Sequence, residues 1–208
     1  MNLPEGVQYR TVGGERSLAT RGPRVSDEPT DGEWRAWSPT RSKLGAMLDA
    51  GMETGLAGGE TVLYLGAAAG TTASHVADFA GPTYAVEFAP RPVRELVAVA
   101  RDRDRLFPLM KDARRPETYA HVVEPVDAIV QDVATRGQAA VALKNRQFLT
   151  DGGRLLLAVK ARSEDVTRDP EAVFEAVTTE LAEGYELLAQ QRLDPRHEDH
   201  LAVVARPR

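Results

Sequence analysis

The chain has 208 residues, of which 42% are hydrophobic, and a formal net charge of −5. This composition is typical of a globular protein and excludes a disordered chain or a strongly basic nucleic-acid-binding domain. The absence of cysteine excludes disulfides and argues strongly against a structural zinc site. No apolar run is long enough for a membrane helix, and the first residues lack the pattern of a signal peptide, so we expect a cytoplasmic protein.

The first forty residues differ in character from the rest of the chain. They are rich in proline and glycine and contain only short β-like segments, at residues 7–12 and 17–20. We therefore predict a small β-rich N-terminal domain over residues 1–40 and a second domain over residues 41–208. A helix is predicted from Ser42, with Leu44, Met47, Leu48 and Met52 on its apolar face.

The second region alternates between strand and helix patterns. Strands are predicted at residues 61–66, 83–87, 106–110, 126–131, 154–160, 185–193 and 200–205. Helices are predicted at residues 71–79, 92–101, 138–149 and 170–182, with a short one near 117–123. This order predicts an α/β fold with a parallel sheet covered on both faces. The last two strands follow each other closely, which predicts an antiparallel edge.

The stretch VLYLGAAAGTTASHV, residues 62–76, reads as an apolar strand, a loop of small residues and the start of a helix. Such a loop lets a ligand approach the backbone and the free N–H groups of the helix, which predicts a nucleotide-like cofactor. Glu87 ends the next strand, 21 residues after Gly66, where a carboxylate can bind ribose hydroxyls. The loop lacks the strict glycine spacing of dinucleotide sites, which favours S-adenosylmethionine and leaves NAD as an alternative.

Other side chains suited to a cofactor or to catalysis also follow predicted strands. Phe88 offers a flat face for a base, and Asp112 is placed to accept a hydrogen bond from an exocyclic amine. Asp132 and Lys160 end two further strands. In a parallel sheet these ends meet at one edge, where ligands bind.

Several segments carry a resemblance to a known family. They are WRAWSPTRSKL, VLYLGAAAGTTASHV, YAVEFAPRPVRELV, KDARRPETY, VDAIVQDVA, LLLAVKARSEDVTRDPEAVF and EDHLAVVARP. In this order, from Trp34 to Ala205, the chain resembles the fibrillarin family, in particular its archaeal members. The resemblance implies a Rossmann-like methyltransferase sheet with an antiparallel last strand, preceded by a small β-rich domain. It also implies 2′-O-methylation of ribose in rRNA and tRNA with S-adenosylmethionine as the methyl donor.

The resemblance implies two sets of site residues. Those expected at the cofactor are Gly66, Ala67, Thr71, Thr72, Glu87, Phe88, Asp112, Ala113, Asp132, Val133, Ala134 and Thr135. Thr135 departs from the family pattern, which has glutamine there, and Ala69 replaces a usual serine. The implied catalytic set is Lys43, Asp132, Lys160 and His200; no metal is expected.

The chemistry of 2′-O-methylation explains these residue types. A ribose hydroxyl is a poor nucleophile until its proton is removed, and a neutral lysine can accept that proton. We therefore expect Lys160 to act as the base and Asp132 to orient the lysines. Lys43 and His200 are expected to hydrogen-bond the hydroxyl or a neighbouring phosphate.

A net charge of −5 conflicts with strong binding of free RNA, since phosphate contacts dominate RNA affinity. Local basic groups are present at Arg41, Lys43, residues 101–105, Arg114–Arg115 and Arg162. The resemblance implies partners that supply affinity and specificity, namely a C/D-box guide RNA, a Nop-domain scaffold protein and a kink-turn-binding protein. The alternatives at this point are a stand-alone methyltransferase, a noncatalytic ribonucleoprotein subunit and an NAD-dependent dehydrogenase.

Overall fold

The computed structural model describes residues 3–208 and contains two β-sheets. The first sheet is antiparallel, with strand order β1-β2-β4-β3. Its strands are β1 (Gln8–Val12), β2 (Glu15–Arg21), β3 (Thr30–Asp31) and β4 (Trp34–Trp37). Strands β3 and β4 were not predicted, because each is short and lies among turn-forming prolines and glycines.

The second sheet has seven strands in the order β10-β11-β9-β8-β5-β6-β7. Its strands are β5 (Val62–Leu65), β6 (Thr83–Glu87), β7 (Leu106–Met110), β8 (Val126–Gln131), β9 (Leu149–Lys160), β10 (Tyr185–Arg192) and β11 (His200–Pro207). Strands β5 to β9 run parallel, whereas β11 is antiparallel to both β9 and β10. The predicted α/β class is confirmed, with β11 lying inside the sheet between β9 and β10.

Six helices flank the strands in the described chain: α1 (Lys43–Asp49), α2 (Thr71–Phe79), α3 (Pro90–Ala100), α4 (Gln138–Asn145), α5 (Ala161–Glu164) and α6 (Pro170–Leu181). Several predictions differ from this. The helix predicted from Ser42 ends at Asp49, so Met52 lies beyond it, and α5 was not predicted. The short helix expected near residues 117–123 is only a 3-10 turn at Pro116–Thr118, and α4 ends at Asn145 before another 3-10 turn, Arg146–Phe148. No helix within residues 3–208 is long and apolar enough to cross a membrane.

Hydrophobic clusters cover both faces of the large sheet. In β5, Val62 and Tyr64 face one cluster while Leu63 and Leu65 face the other. All four residues are buried, as expected for a parallel strand covered on both sides. Trp37 of the N-terminal sheet belongs to the first cluster, so the two sheets share a core. The division after residue 40 stays a prediction.

A buried ionic cluster joins the N-terminal sheet to α2. The fully buried Arg35 of β4 donates to Asp78 and to Ser74, at 2.8 Å in each case. Arg103 donates to the other oxygen of Asp78 at 3.1 Å. Because buried charges are costly unless paired, this cluster fixes α2 against the first sheet.

Candidate active site

Five predicted site residues meet at the carboxyl edge of the parallel strands. Gly66 follows β5, Glu87 ends β6, Asp112 lies just beyond β7, Asp132 follows β8 and Lys160 ends β9. A cavity of about 320 Å³ opens there. The predicted residues that line it are Gly66, Glu87, Phe88, Asp112, Ala113, Asp132, Val133, Ala134, Thr135 and Lys160. This volume and position are typical of a small-molecule site in an α/β fold.

The loop after β5 depends on glycine at position 66. Gly66 has a φ of +83°, and a Cβ atom there would lie 2.5 Å from the carbonyl oxygen of Asp132. The backbone N–H groups of Gly66 and Ala67 both donate to the carbonyl of Val86, at 2.9 and 3.1 Å. The loop therefore passes close to the residue that carries the candidate catalytic carboxylate.

Glu87 holds the same loop through its carboxylate. Oε2 accepts from the N–H of Ala68 at 3.0 Å, and Oε1 accepts from the N–H groups of Phe88 and Ala89 at 2.9 and 2.8 Å. Two carboxylate oxygens offer about four acceptor positions, so capacity remains for a ribose hydroxyl. Phe88 beside it is 66% exposed at the cavity, as a side chain that stacks on a base would be.

Asp112 faces the cavity but has a partner in its own chain. Arg114 donates from Nε to Oδ1 at 3.0 Å and from Nη2 to Oδ2 at 2.7 Å. These hydrogen bonds from Arg114 lower the pKa of Asp112, although burial opposes them. An exocyclic amine bound at Asp112 would share the carboxylate with Arg114.

Three predicted cofactor residues do not line this cavity. Ala67 is 5% exposed and turned into the core. Thr71 and Thr72 line a second cavity, of about 450 Å³, between the N-terminal sheet and the start of α2. Contact of these three residues with a cofactor stays a prediction.

The predicted catalytic residues Lys43, Asp132 and Lys160 form one ionic group. Lys160 Nζ lies 2.9 Å from Asp132 Oδ1, and Lys43 Nζ lies 3.4 Å from Asp132 Oδ2. The Ser42 hydroxyl accepts from the N–H of Gly45 and starts α1, which makes Lys43 its first helical residue. Two cations share one carboxylate, and all three side chains are largely but not fully buried.

His200 of β11 is paired in register with Lys160 of β9. Burial lowers the pKa of His200, and the charges of Lys43, Lys160 and His197 add to this effect. Its Nδ1 lies 2.6 Å from the carbonyl oxygen of Glu198, which can only accept, so Nδ1 carries the proton. With Nδ1 held by Glu198, Nε2 is the ring nitrogen left to face a ligand.

Several residues of this region were not predicted. Lys111, Arg114 and Val141 also line the cavity. Gln138, at the start of α4, hydrogen-bonds the backbone of Lys160. The one sequence signal for Gln138 is a polar residue directly before the apolar run AAVAL at the start of a helix.

The candidate RNA-binding arginines are mostly engaged in ion pairs. Arg41 pairs with Asp27, Arg114 with Asp112 and Arg162 with Asp199. Arg103, in the middle of the basic run 101–105, points inward to Asp78. That run therefore presents less positive charge to solvent than its sequence suggests.

Comparison with known proteins identifies the family. The sequence profile of the family described as Fibrillarin matches residues 5–208. The chain belongs to the fibrillarin family. It is 72% identical over 208 residues to the fibrillarin-like rRNA/tRNA 2′-O-methyltransferase of Haloarcula marismortui, covering 100% of this chain and 99% of that protein.

Two solved fibrillarin structures share the fold over nearly the whole chain. One belongs to a fibrillarin/Nop5p complex, with a TM-score of 0.90 and 36% identity, covering 100% of both chains. The other is Aeropyrum pernix fibrillarin with natively bound S-adenosyl-L-methionine, with a TM-score of 0.82 and 41% identity, covering 99% of this chain and 100% of that one. Membership of this family sets the dehydrogenase alternative aside.

Proposed function

We propose that this fibrillarin-family chain is an S-adenosylmethionine-dependent 2′-O-methyltransferase of rRNA and tRNA. One observation carries the proposal. The ionic group of Lys160, Asp132 and Lys43 adjoins a cavity built from the strand ends of an α/β sheet. A methyl transfer to a hydroxyl needs these two parts, a donor site and a group that accepts the hydroxyl proton.

The residues around the cavity fit the methyl donor. The remaining acceptor positions of Glu87 suit a ribose diol, the exposed ring of Phe88 suits an adenine face, and Asp112 suits the adenine amine. Ala113, Val133, Ala134 and Thr135 complete the wall. Gly66, Ala67, Thr71 and Thr72 form the loop and helix start beside it. When bound, S-adenosylmethionine supplies an activated methyl group.

Lys160 accepts the proton of the 2′-hydroxyl in this proposal. The amines of Lys160 and Lys43 share the single carboxylate of Asp132. The ammonium formed when Lys160 takes the proton is then stabilised by Asp132 at 2.9 Å. The ribose oxygen, relieved of its proton, would then be the nucleophile for the donor's methyl group, whose bond to sulfur would break as its bond to oxygen forms and leave a neutral thioether.

Lys43 and His200 orient the substrate. Lys43 remains a hydrogen-bond donor to the ribose or to a neighbouring phosphate. His200, paired in register with Lys160 on the neighbouring strand, helps to hold the ribose beside Lys160. Holding the hydroxyl on a fixed line supplies a large share of the acceleration in two-substrate reactions.

The partners follow from the charge of the chain. A net charge of −5 and largely paired arginines give weak affinity for RNA alone. We propose that a C/D-box guide RNA selects the nucleotide, and that the chain is held on a Nop-domain scaffold protein beside a kink-turn-binding protein. We also propose that this particle works in the cytoplasm.

The test is methyl transfer in the reconstituted particle, measured with labelled S-adenosylmethionine, with and without a guide that matches the target. We expect transfer only with the guide, and in Lys160→Ala a fall of transfer to a small residual rate without loss of assembly. Lys144→Ala, at an exposed lysine of α4, serves as the matched control and keeps activity. Equal transfer without guide supports a stand-alone methyltransferase, and full activity in Lys160→Ala removes the proposed base.

A further inference from the structure

The backbone of Lys160 is supported by the sheet on one side only. On that side it is paired with His200 of β11. On the other side the parallel strand β8 has already ended, since the last β8–β9 pair joins Gln131 to Leu157. Without another partner, the peptide groups at the end of β9 would face an open sheet edge.

The side chain of Gln138 occupies this position. Its Oε1 accepts from the N–H of Lys160 at 2.9 Å, and its Nε2 donates to the carbonyl of Lys160 at 3.0 Å. A side-chain amide presents a donor and an acceptor as a peptide group does, so Gln138 replaces a missing strand residue. Gln138 is fully buried and does not line the cofactor cavity.

Gln138 is itself held by three further hydrogen bonds around its own peptide. The carboxylate of Glu164 accepts from the N–H groups of Gly137 and Gln138, at 2.8 and 2.5 Å. Gln131 Nε2 donates to the carbonyl of Gln138 at 2.8 Å. Gln131 is also fully buried and directly precedes Asp132. The network therefore connects the strand ends that carry both members of the Lys160–Asp132 ion pair.

We propose that Gln138 is a positioning residue for methyl transfer. By fixing the backbone at the end of β9, it sets where Lys160 Nζ lies relative to Asp132 and to the substrate hydroxyl. The inference rests on the proposed role of Lys160. A small rotation at this backbone is amplified along the four-carbon side chain, and a misplacement of about 1 Å costs roughly 100-fold in rate.

The experiment uses Gln138→Leu, which keeps the size and removes both hydrogen bonds. The matched control is Gln147→Leu, at an exposed glutamine just after the same helix. We expect kcat in the reconstituted particle to fall roughly 10- to 100-fold, while KM for target RNA and Kd for S-adenosylmethionine change less than about threefold. The control keeps the wild-type kcat. If Gln138→Leu does not fold, Gln138→Asn, which shortens the amide, is expected to show the same pattern.

A double variant separates positioning from general structural damage. If Gln138 acts through Lys160, Gln138→Leu with Lys160→Ala is no slower than Lys160→Ala alone. Further slowing in the double variant, a wild-type kcat in Gln138→Leu, or a loss of cofactor affinity equal to the loss of kcat overturns the proposal. Failure of the proposed function looks different, because then the wild-type particle does not transfer methyl groups or Lys160→Ala keeps full activity.

Discussion

The Nζ atom of Lys160 lies 2.9 Å from Oδ1 of Asp132, although the two residues belong to different strand ends and are 28 positions apart in the chain. The other oxygen of Asp132 lies 3.4 Å from Nζ of Lys43. The parallel sheet creates this arrangement, because the neighbouring strands β8 and β9 both have their carboxyl ends at the same edge of the sheet, and α1 begins next to them. The carboxylate of Asp132 thus forms ion pairs with both candidate catalytic lysines, Lys160 and Lys43.

Asp132→Asn keeps the shape of this side chain and removes its charge. We expect kcat for methyl transfer to fall roughly 100-fold or more, because both lysines lose the partner that orients them. Single-turnover transfer of labelled methyl in the reconstituted particle measures this. Asp127→Asn, at the start of the same strand, is the matched control and keeps its rate. A wild-type rate in Asp132→Asn would show that the charge is not needed.

Gly66→Ala tests the close approach of the cofactor loop to Asp132. An alanine there combines a left-handed φ with a Cβ 2.5 Å from a carbonyl oxygen. We expect the free energy of unfolding to drop by about 1–3 kcal/mol and cofactor binding to weaken. Gly152→Ala, with no atom within 4 Å of the added Cβ, changes stability by less than about 0.5 kcal/mol. Urea unfolding of both variants gives the comparison, and equal stability of the two would contradict this assignment.

Glu87→Gln replaces an acceptor oxygen by an amide nitrogen that cannot accept from backbone N–H groups. In the wild-type chain the carboxylate of Glu87 accepts from the N–H groups of Ala68, Phe88 and Ala89. In the variant the loop and the start of α3 therefore lose part of their support. We expect Kd for S-adenosylmethionine to rise about tenfold or more, as for the loss of a charge-assisted hydrogen bond. Isothermal titration calorimetry measures this, with Glu95→Gln on the exposed face of α3 as the control. An unchanged Kd would exclude Glu87 from the donor site.

Acid sensitivity is expected from a buried histidine outside the site. Burial, with the charges of Arg35 and Arg103, holds the pKa of His75 well below 6.5, and Glu28 only partly opposes this. The unfolded chain takes up a proton below a pH of about 6.5, but the folded chain does not, so stability is lost as the pH falls. The free energy of unfolding should decline by up to about 1.4 kcal/mol per pH unit between about 6.5 and 5.5.

His75→Gln is expected to reduce this slope to the part that His200 contributes, although it also lowers stability at neutral pH by removing the stacking of His75 on Trp37. Denaturant unfolding at several pH values measures the slope in both proteins. The same slope in the variant would mean that another group is responsible.

The sequence predicted the parts of the structure that depend on local patterns. Apolar runs and their spacing located the strands of the large sheet and most helices. The order of acids and lysines after those strands brought Glu87, Asp112, Asp132 and Lys160 to one edge, where the structure has a cavity. The family resemblance added Lys43 and His200 to the predicted site. Lys43 precedes all strands of the large sheet in the sequence, and His200 begins the last one, so the order of strand ends did not predict them.

Other features depend on contacts that no local pattern encodes. The partners of Arg35 and Arg103 come from separate elements, so their burial is a result of tertiary packing. The pairing of Asp112 with Arg114 depends on side-chain conformations at a turn. The role of Gln138 depends on the extension of β9 beyond the end of β8, which is a property of the sheet as a whole.

The most direct test of methyl transfer to a ribose uses two target RNAs that differ by one atom. The reconstituted particle is given labelled S-adenosylmethionine, a matching guide and a target in which the selected nucleotide carries either a 2′-hydroxyl or a 2′-hydrogen. We predict incorporation of one methyl group into the first target and none into the second. Equal incorporation into both would place the methyl group on a base or a phosphate and would contradict the proposed function.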